Sequence, residues 1–181
     1  MKLRINNLRD TERIGKIIGR CLEKGTVLCL DGDLGVGKTA LTQFIAKEFG
    51  VNEYITSPTF NIIKEYEGKL PFYHMDVYRI DLEDDMYDLG YDEYIYSEGV
   101  TIIEWSHKII GILPDERINI EIQRLDDTSR IITINGKGRV YEKIAEELKE
   151  YENTSNWISI NYSFLCHIWG WEFIRRIYFK S

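Results

Sequence analysis

The sequence predicts an α/β domain, on three observations. A short apolar run, Thr26 to Asp31, is followed at once by glycines and then by a helical pattern, so strand, glycine loop and helix stand in that order. A second apolar run, Val100 to Ile103, leads directly into an acid, Glu104. Two further pairs of alternating segments read as hairpins, so strands of both the buried and the half-exposed kind are present. Continuous apolar runs are what strands covered on both faces require, and such cover comes from helices.

Taken in order, the first element is a helix from Asp10, with Ile14, Ile17, Ile18, Cys21 and Leu22 on one face, Asp10 or Thr11 as its N-cap and Gly25 past its end. The strand 26–31 follows. The helix after the glycines carries Ala40, Leu41, Phe44, Ile45 and Phe49 on one side. Residues 59–66 and 71–78 are expected to pair across Glu67-Gly68-Lys69, the first strand presenting Phe60 and Ile62. A weak helix at 82–89 precedes the strand 100–103. Ile118, Ile120 and Ile122 alternate up to a turn at Asp126-Asp127, and Ile132 and Ile134 alternate after it, which predicts a second hairpin. A polar helix is expected over 140–151.

With 181 residues, 44% hydrophobic and 29% charged, the chain is sized for one compact domain with an ordinary core. Its formal charge of −7 argues against coating nucleic acid with a broad basic surface, so no strong direct nucleic-acid binding is expected. Cys21, Cys29 and Cys166 are odd in number and form no CxxC pair, the start has no apolar leader, and no stretch of about 18 apolar residues occurs. Reduced thiols, no membrane span and a cytoplasmic location are the expectation. Residues 153–181 differ from the rest: eight of these 29 residues are aromatic, and the segment carries +2. The expected division is a working domain at 1–152 and an aromatic, basic tail of separate role or origin. A partner-binding or membrane-surface appendage, an extra helix over the sheet and a displaced reading frame all fit that tail.

Gly32-Asp33-Leu34-Gly35-Val36-Gly37-Lys38-Thr39 fits the phosphate-binding pattern GxxxxGK[ST], and it lies between strand and helix as the mechanism demands. Glycines let the backbone curl with its N–H groups inward, and the helix adds the positive end of its dipole. Lys38 would reach β- and γ-phosphate oxygens, and the Thr39 hydroxyl is the expected Mg2+ ligand. Hydrolysis also needs an acid, and two stand at strand ends, Asp76 and Glu104. Either could serve. An acid closing an apolar strand suits Glu104 to the metal and leaves Asp76 to position or deprotonate water. Arg79 is a possible charge-stabilising group or a surface ion-pair partner. Ser57-Pro58-Thr59 is either a loop whose hydroxyls sense a γ-phosphate or a plain proline turn. His74, His107 and Cys29 lack partners at zinc-ligand spacing.

In this order and spacing, GDLGVGKT, SPTF (Ser57 to Phe60), HMDVYR (His74 to Arg79) and IIEW (Ile102 to Trp105) closely resemble the TsaE family of bacterial ATPases, over roughly residues 1–150. The resemblance implies a three-layer P-loop NTPase fold with a mixed parallel and antiparallel central sheet. It implies ATP as substrate, Mg2+ as cofactor, and work beside the TsaB and TsaD proteins in forming threonylcarbamoyladenosine next to the tRNA anticodon. The nucleotide-binding set it implies is Thr11, Gly35, Val36, Gly37, Lys38, Thr39 and Arg130. Thr39 and Glu104 take the metal positions, Asp76, Lys38 and Glu104 the catalytic ones, and Ser57, Pro58 and Thr59 the switch-like loop. Trp105 matches a family tryptophan beside the site, for which packing is the simpler account. Ser106-His107 departs from the small residue and acid found in many relatives, and residues after 152 have no counterpart. Two other functions stay open: a small-molecule kinase, disfavoured because only Arg117, Arg124 and Arg130 lie between 105 and 130, and a nucleotide-sensing adaptor with little turnover.

Overall fold

A computed structural model describes residues 1–152. The expectations for the tail at 153–181 lie outside the described residues. The chain divides into two units, Met1–Ala145 and Glu146–Ser181, and the first contains the whole sheet.

Seven strands, β1 (Lys2–Ile5), β2 (Val27–Asp31), β3 (Ile63–Glu67), β4 (Pro71–Asp76), β5 (Val100–Glu104), β6 (Ile118–Arg124) and β7 (Arg130–Gly136), form one sheet in the order β1-β7-β6-β2-β5-β4-β3. The four central strands, β6, β2, β5 and β4, run parallel, and the pairs β1/β7, β6/β7 and β3/β4 are antiparallel. The sheet is therefore mixed. Helices α1 (Leu8–Cys21) and α2 (Lys38–Phe49) pack together, and Phe49 of α2 meets Phe72 of β4, ring centroids 6.0 Å apart. Side chains alternate across a strand, so the opposite face presents Val27, Cys29, Met75 and Ile103. These bury Met86, Tyr91 and Ile95 of the short helices α3 (Asp85–Asp88) and α4 (Tyr91–Ile95). Three layers result, and β2 and β5, covered on both sides, are the apolar runs that the sequence displays. Cys29 is wholly buried there, and burial pushes its thiol up to about 12.

Several boundaries differ from expectation, each for a local reason. The first helix begins earlier, because Asn7 is the N-cap: its side chain accepts the Arg9 and Asp10 amides, and Asp10 in turn accepts the Asn6 amide. Thr11 is thereby a buried residue within the helix rather than its cap. Residues 59–62 are not strand. The Pro58 carbonyl accepts the amides of Asn61 and Ile62, Ile62 lies at φ 65, and Phe60 is exposed. Gly90, at φ 74, separates two short helices where one weak helix is expected. The strand β1 was not anticipated, although Leu3 and Ile5 alternate with Lys2 and Arg4. The second hairpin turns at the expected place, where Asp126 accepts the Thr128 and Ser129 amides. A final helix, α5, runs over 139–152. Among the described residues no helix is long and apolar enough to cross a membrane.

Two glycines let α1 and α2 approach closely. A Cβ on Gly15 would lie 2.6 Å from the Phe44 Cβ, and one on Gly19 would lie 2.6 Å from the Ile45 carbonyl oxygen, which cannot move independently of its helix. Gly19→Val is expected to destabilise the fold by about 3 kcal/mol through overpacking, checked by urea denaturation; a loss below about 1 kcal/mol would show that the helices separate freely.

Candidate functional site

The loop Gly32–Thr39 leaves the C-terminal end of β2 and feeds α2. Gly32, Gly35 and Gly37 have φ of 138°, 72° and 116°, values that side-chain-bearing residues rarely adopt. Gly32 packs against the carbonyl of Ile122 in β6, whereas a Cβ at Gly35 or Gly37 would meet nothing within 4 Å. One glycine anchors the loop, and the other two face open space. Gly37 is also the N-cap of α2 and supplies no side-chain acceptor, so the first-turn amides and the positive helix end face the same opening.

Lys38 is only 5% exposed. Its Nζ donates to the carbonyls of Gly32 (2.7 Å) and Asp33 (3.0 Å) and stands 3.7 Å above the centre of the Trp105 ring. Burial lowers its pKa below the usual lysine range, against the opposing pull of Glu104, Asp76, Asp31 and Asp33. The loop's lysine is thus desolvated but surrounded by acids.

Two of those acids, Asp76 and Glu104, come from neighbouring parallel strands and stand in register across β4 and β5. Both are almost completely buried. Glu104 divides its oxygens: Oε2 accepts the Thr39 hydroxyl at 3.1 Å, and Oε1 lies 2.9 Å from His74 Nε2. Asp76 Oδ2 accepts the hydroxyls of Thr59 (2.6 Å) and Ser57, and Oδ1 accepts the Tyr78 amide at 3.1 Å. This last bond turns the chain at the end of β4.

Two cavities flank the loop and share Gly35, Gly37 and Ala40. One, about 360 Å3, is lined by Lys38, Thr39, Ser57, Thr59, Asp76, Glu104 and Trp105 among others; the second, about 390 Å3, is lined by Asn7, Thr11, Val36, Thr128 and Arg130 among others. Arg130 Nε donates to the Val36 carbonyl at 3.3 Å, which ties the β6–β7 hairpin to the loop. The expected site residues therefore divide by place: Lys38, Thr39, Asp76, Glu104, Ser57 and Thr59 meet on one side, and Thr11, Val36 and Arg130 on the other. Pro58 lines neither cavity and acts through its carbonyl. Arg79 also lines neither and sits 5.2 Å over the Phe60 ring. Sequence reasoning missed the contacts of His74 and the position of Trp105 over the lysine. The even spacing of Phe72, His74 and Asp76 was the available signal for His74, since it puts all three on one face.

An open glycine cradle at a helix N-terminus can hold a polyphosphate. A hydroxyl and a carboxylate 3.1 Å apart are hard oxygen donors of the kind that Mg2+ takes from a protein beside phosphates. Asp76 can orient a water at the same end.

Parallel central strands, a glycine loop between β2 and α2, and acids at the adjoining strand ends define the P-loop NTPase fold. A family model described as "Threonylcarbamoyl adenosine biosynthesis protein TsaE" matches residues 5–132. The chain is 46% identical over 157 residues to the tRNA threonylcarbamoyladenosine biosynthesis protein TsaE of Bacillus subtilis, covering 86% of this chain and 98% of that one. It is 42% identical to the protein of the same name from Treponema pallidum, over 70% and 93% of the two chains. The crystal structure of Bacillus subtilis YdiB superposes with a TM-score of 0.72 at 42% identity, covering 84% of this chain and 95% of that one. The chain belongs to the TsaE family.

Proposed function

We propose that this protein binds and hydrolyses ATP in the cytoplasm, supporting the formation of threonylcarbamoyladenosine in tRNA together with TsaB and TsaD. The observation that carries this reading is the convergence of Lys38, Thr39, Asp76 and Glu104 on the open side of the glycine loop. Membership of the TsaE family supports the pathway. The triphosphate lies along Gly35 to Thr39, with the nucleoside toward Thr11 and Arg130 and the γ-phosphate toward Asp76. Thr39 and Glu104 would hold Mg2+, which when bound offsets the charge on the phosphate oxygens.

Asp76 receives three donors, and a carboxylate has about four acceptor positions, so one remains for a water. That water's oxygen bonds to the γ-phosphorus as the bond to the ADP oxygen breaks. Its proton passes toward Asp76 or a phosphate oxygen, and the charge gathering on ADP is held by Lys38 and the loop amides. Residues 1–152 carry all of these groups.

The test is ATP turnover with and without TsaB and TsaD, for the full chain and for residues 1–152. Slow hydrolysis alone, faster hydrolysis with both proteins, no phosphorylated metabolite and equal nucleotide affinity in the two forms are expected. Steady γ-phosphate transfer to a small acceptor would replace this reading with a kinase, and binding without turnover even beside the partners would replace it with a sensor. A large loss of affinity in the shorter form would place the tail in the working domain.

A further inference from the structure

His74 has no part in the chemistry above, yet its ring lies wholly buried on the same face of β4 as Asp76. Its strand neighbours in register are Lys64 and Ile102. Nε2 is 2.9 Å from Glu104 Oε1, while Nδ1 is buried with no hydrogen-bond partner. A group that served packing alone would be better replaced by an apolar ring, as at Phe72 on the same face, because an orphaned buried nitrogen carries a desolvation cost. The ring therefore has a directional task. With the Glu104 carboxylate accepting, Nε2–H is the donor of this contact. The donor holds Oε1 from the neighbouring strand β4, and Oε2 is left to Thr39.

We infer that His74 is the positioning residue for Glu104, fixing through its Nε2–H the one carboxylate rotamer that presents Oε2 beside the Thr39 hydroxyl as a metal-binding pair. The inference rests on the reading of Glu104 as a metal ligand. Outer partners of this type orient ligands, and their loss weakens metal binding about 10- to 100-fold. Gln offers an amide N–H at nearly the reach of Nε2; Leu fills the space with no donor.

The experiment titrates Mn2+ into the full chain saturated with ADP, read by the Mn2+ spin-resonance signal, and measures ADP affinity in chelator separately. His74→Leu is expected to raise half-saturating Mn2+ about 10- to 100-fold with metal-free ADP affinity unchanged, and His74→Gln to restore most of the loss. Parent-like Mn2+ binding in His74→Leu overturns the inference, as does equal loss in the Gln and Leu variants. Glu104→Gln separates the two readings: if it binds Mn2+ like the parent, the metal role of Glu104 falls and this inference with it, whereas a loss there beside an intact His74→Leu overturns the inference alone. Should the Leu variant not fold, ring-nitrogen NMR of the parent decides, since a His74 ring protonated at Nδ1 instead of Nε2 overturns the assignment.

Discussion

Replacing Lys38 with alanine is expected to lower ATP turnover at least 100-fold and to weaken triphosphate binding severely, while the protein stays folded. Removing one charged donor from a site where phosphate charge develops costs about 3 kcal/mol or more. The size follows from placement. The Lys38 ammonium is 5% exposed, lies 3.7 Å over the Trp105 ring and already bridges two loop carbonyls, so neither water nor another side chain can take over its charge. Stability should change little, because burial already opposes the charged form. Arginine should fail almost as badly, its broad planar head having no room between the loop and the indole. Calorimetric titration with a non-hydrolysable ATP analogue measures binding directly. An alanine variant that binds within threefold of the parent would remove Lys38 from the cradle.

Asp76→Ala should separate turnover from binding. Hydrolysis is expected to fall about 100- to 1,000-fold, in the range that a positioned acid or base contributes, with nucleotide affinity held within about threefold. Asp76 touches neither the glycine loop nor Lys38 by a hydrogen bond; its partners are Ser57, Thr59 and the Tyr78 amide. The substitution therefore also frees the two hydroxyls that hold the 57–62 turn. Asp76→Asn keeps the shape and distinguishes the causes: full activity there would mean that the aspartate only tethers the turn. Single-turnover rates beside equilibrium binding supply the comparison, and undiminished turnover in Asp76→Ala would take this residue out of the reaction.

What could be read in the chain was whatever depends on near neighbours. The apolar run at 26–31, the glycine spacing at 32–37 and the acid closing the strand at 100–104 are local patterns, and each lies where expected. The first-helix cap was misplaced because Asn7 accepts the Arg9 and Asp10 amides while Asp10 accepts the Asn6 amide, an arrangement that hydrophobic periodicity does not register. The 59–62 turn looked like strand because Phe60 and Ile62 alternate. Its shape is set instead by Pro58 and by hydroxyls drawn to Asp76, more than a dozen residues further on. The contacts of His74 with Glu104 and of Lys38 with Trp105 join elements 30 and 67 residues apart in the chain, and only the order of strands in the sheet brings them together.

The register of β4 against β5 pairs Asp76 with Glu104 over a stretch in which Phe72 meets Val100 at the other end. A one-residue insertion between Phe72 and Met75 would invert the facing of every later side chain in that strand, sending the aspartate into the oily layer beneath α3 and α4. The same insertion in the 68–70 turn would be absorbed at the surface. Tolerance to length change in this region is therefore sharply asymmetric over a handful of codons, and a screen of single-codon insertions would map the working face of the sheet.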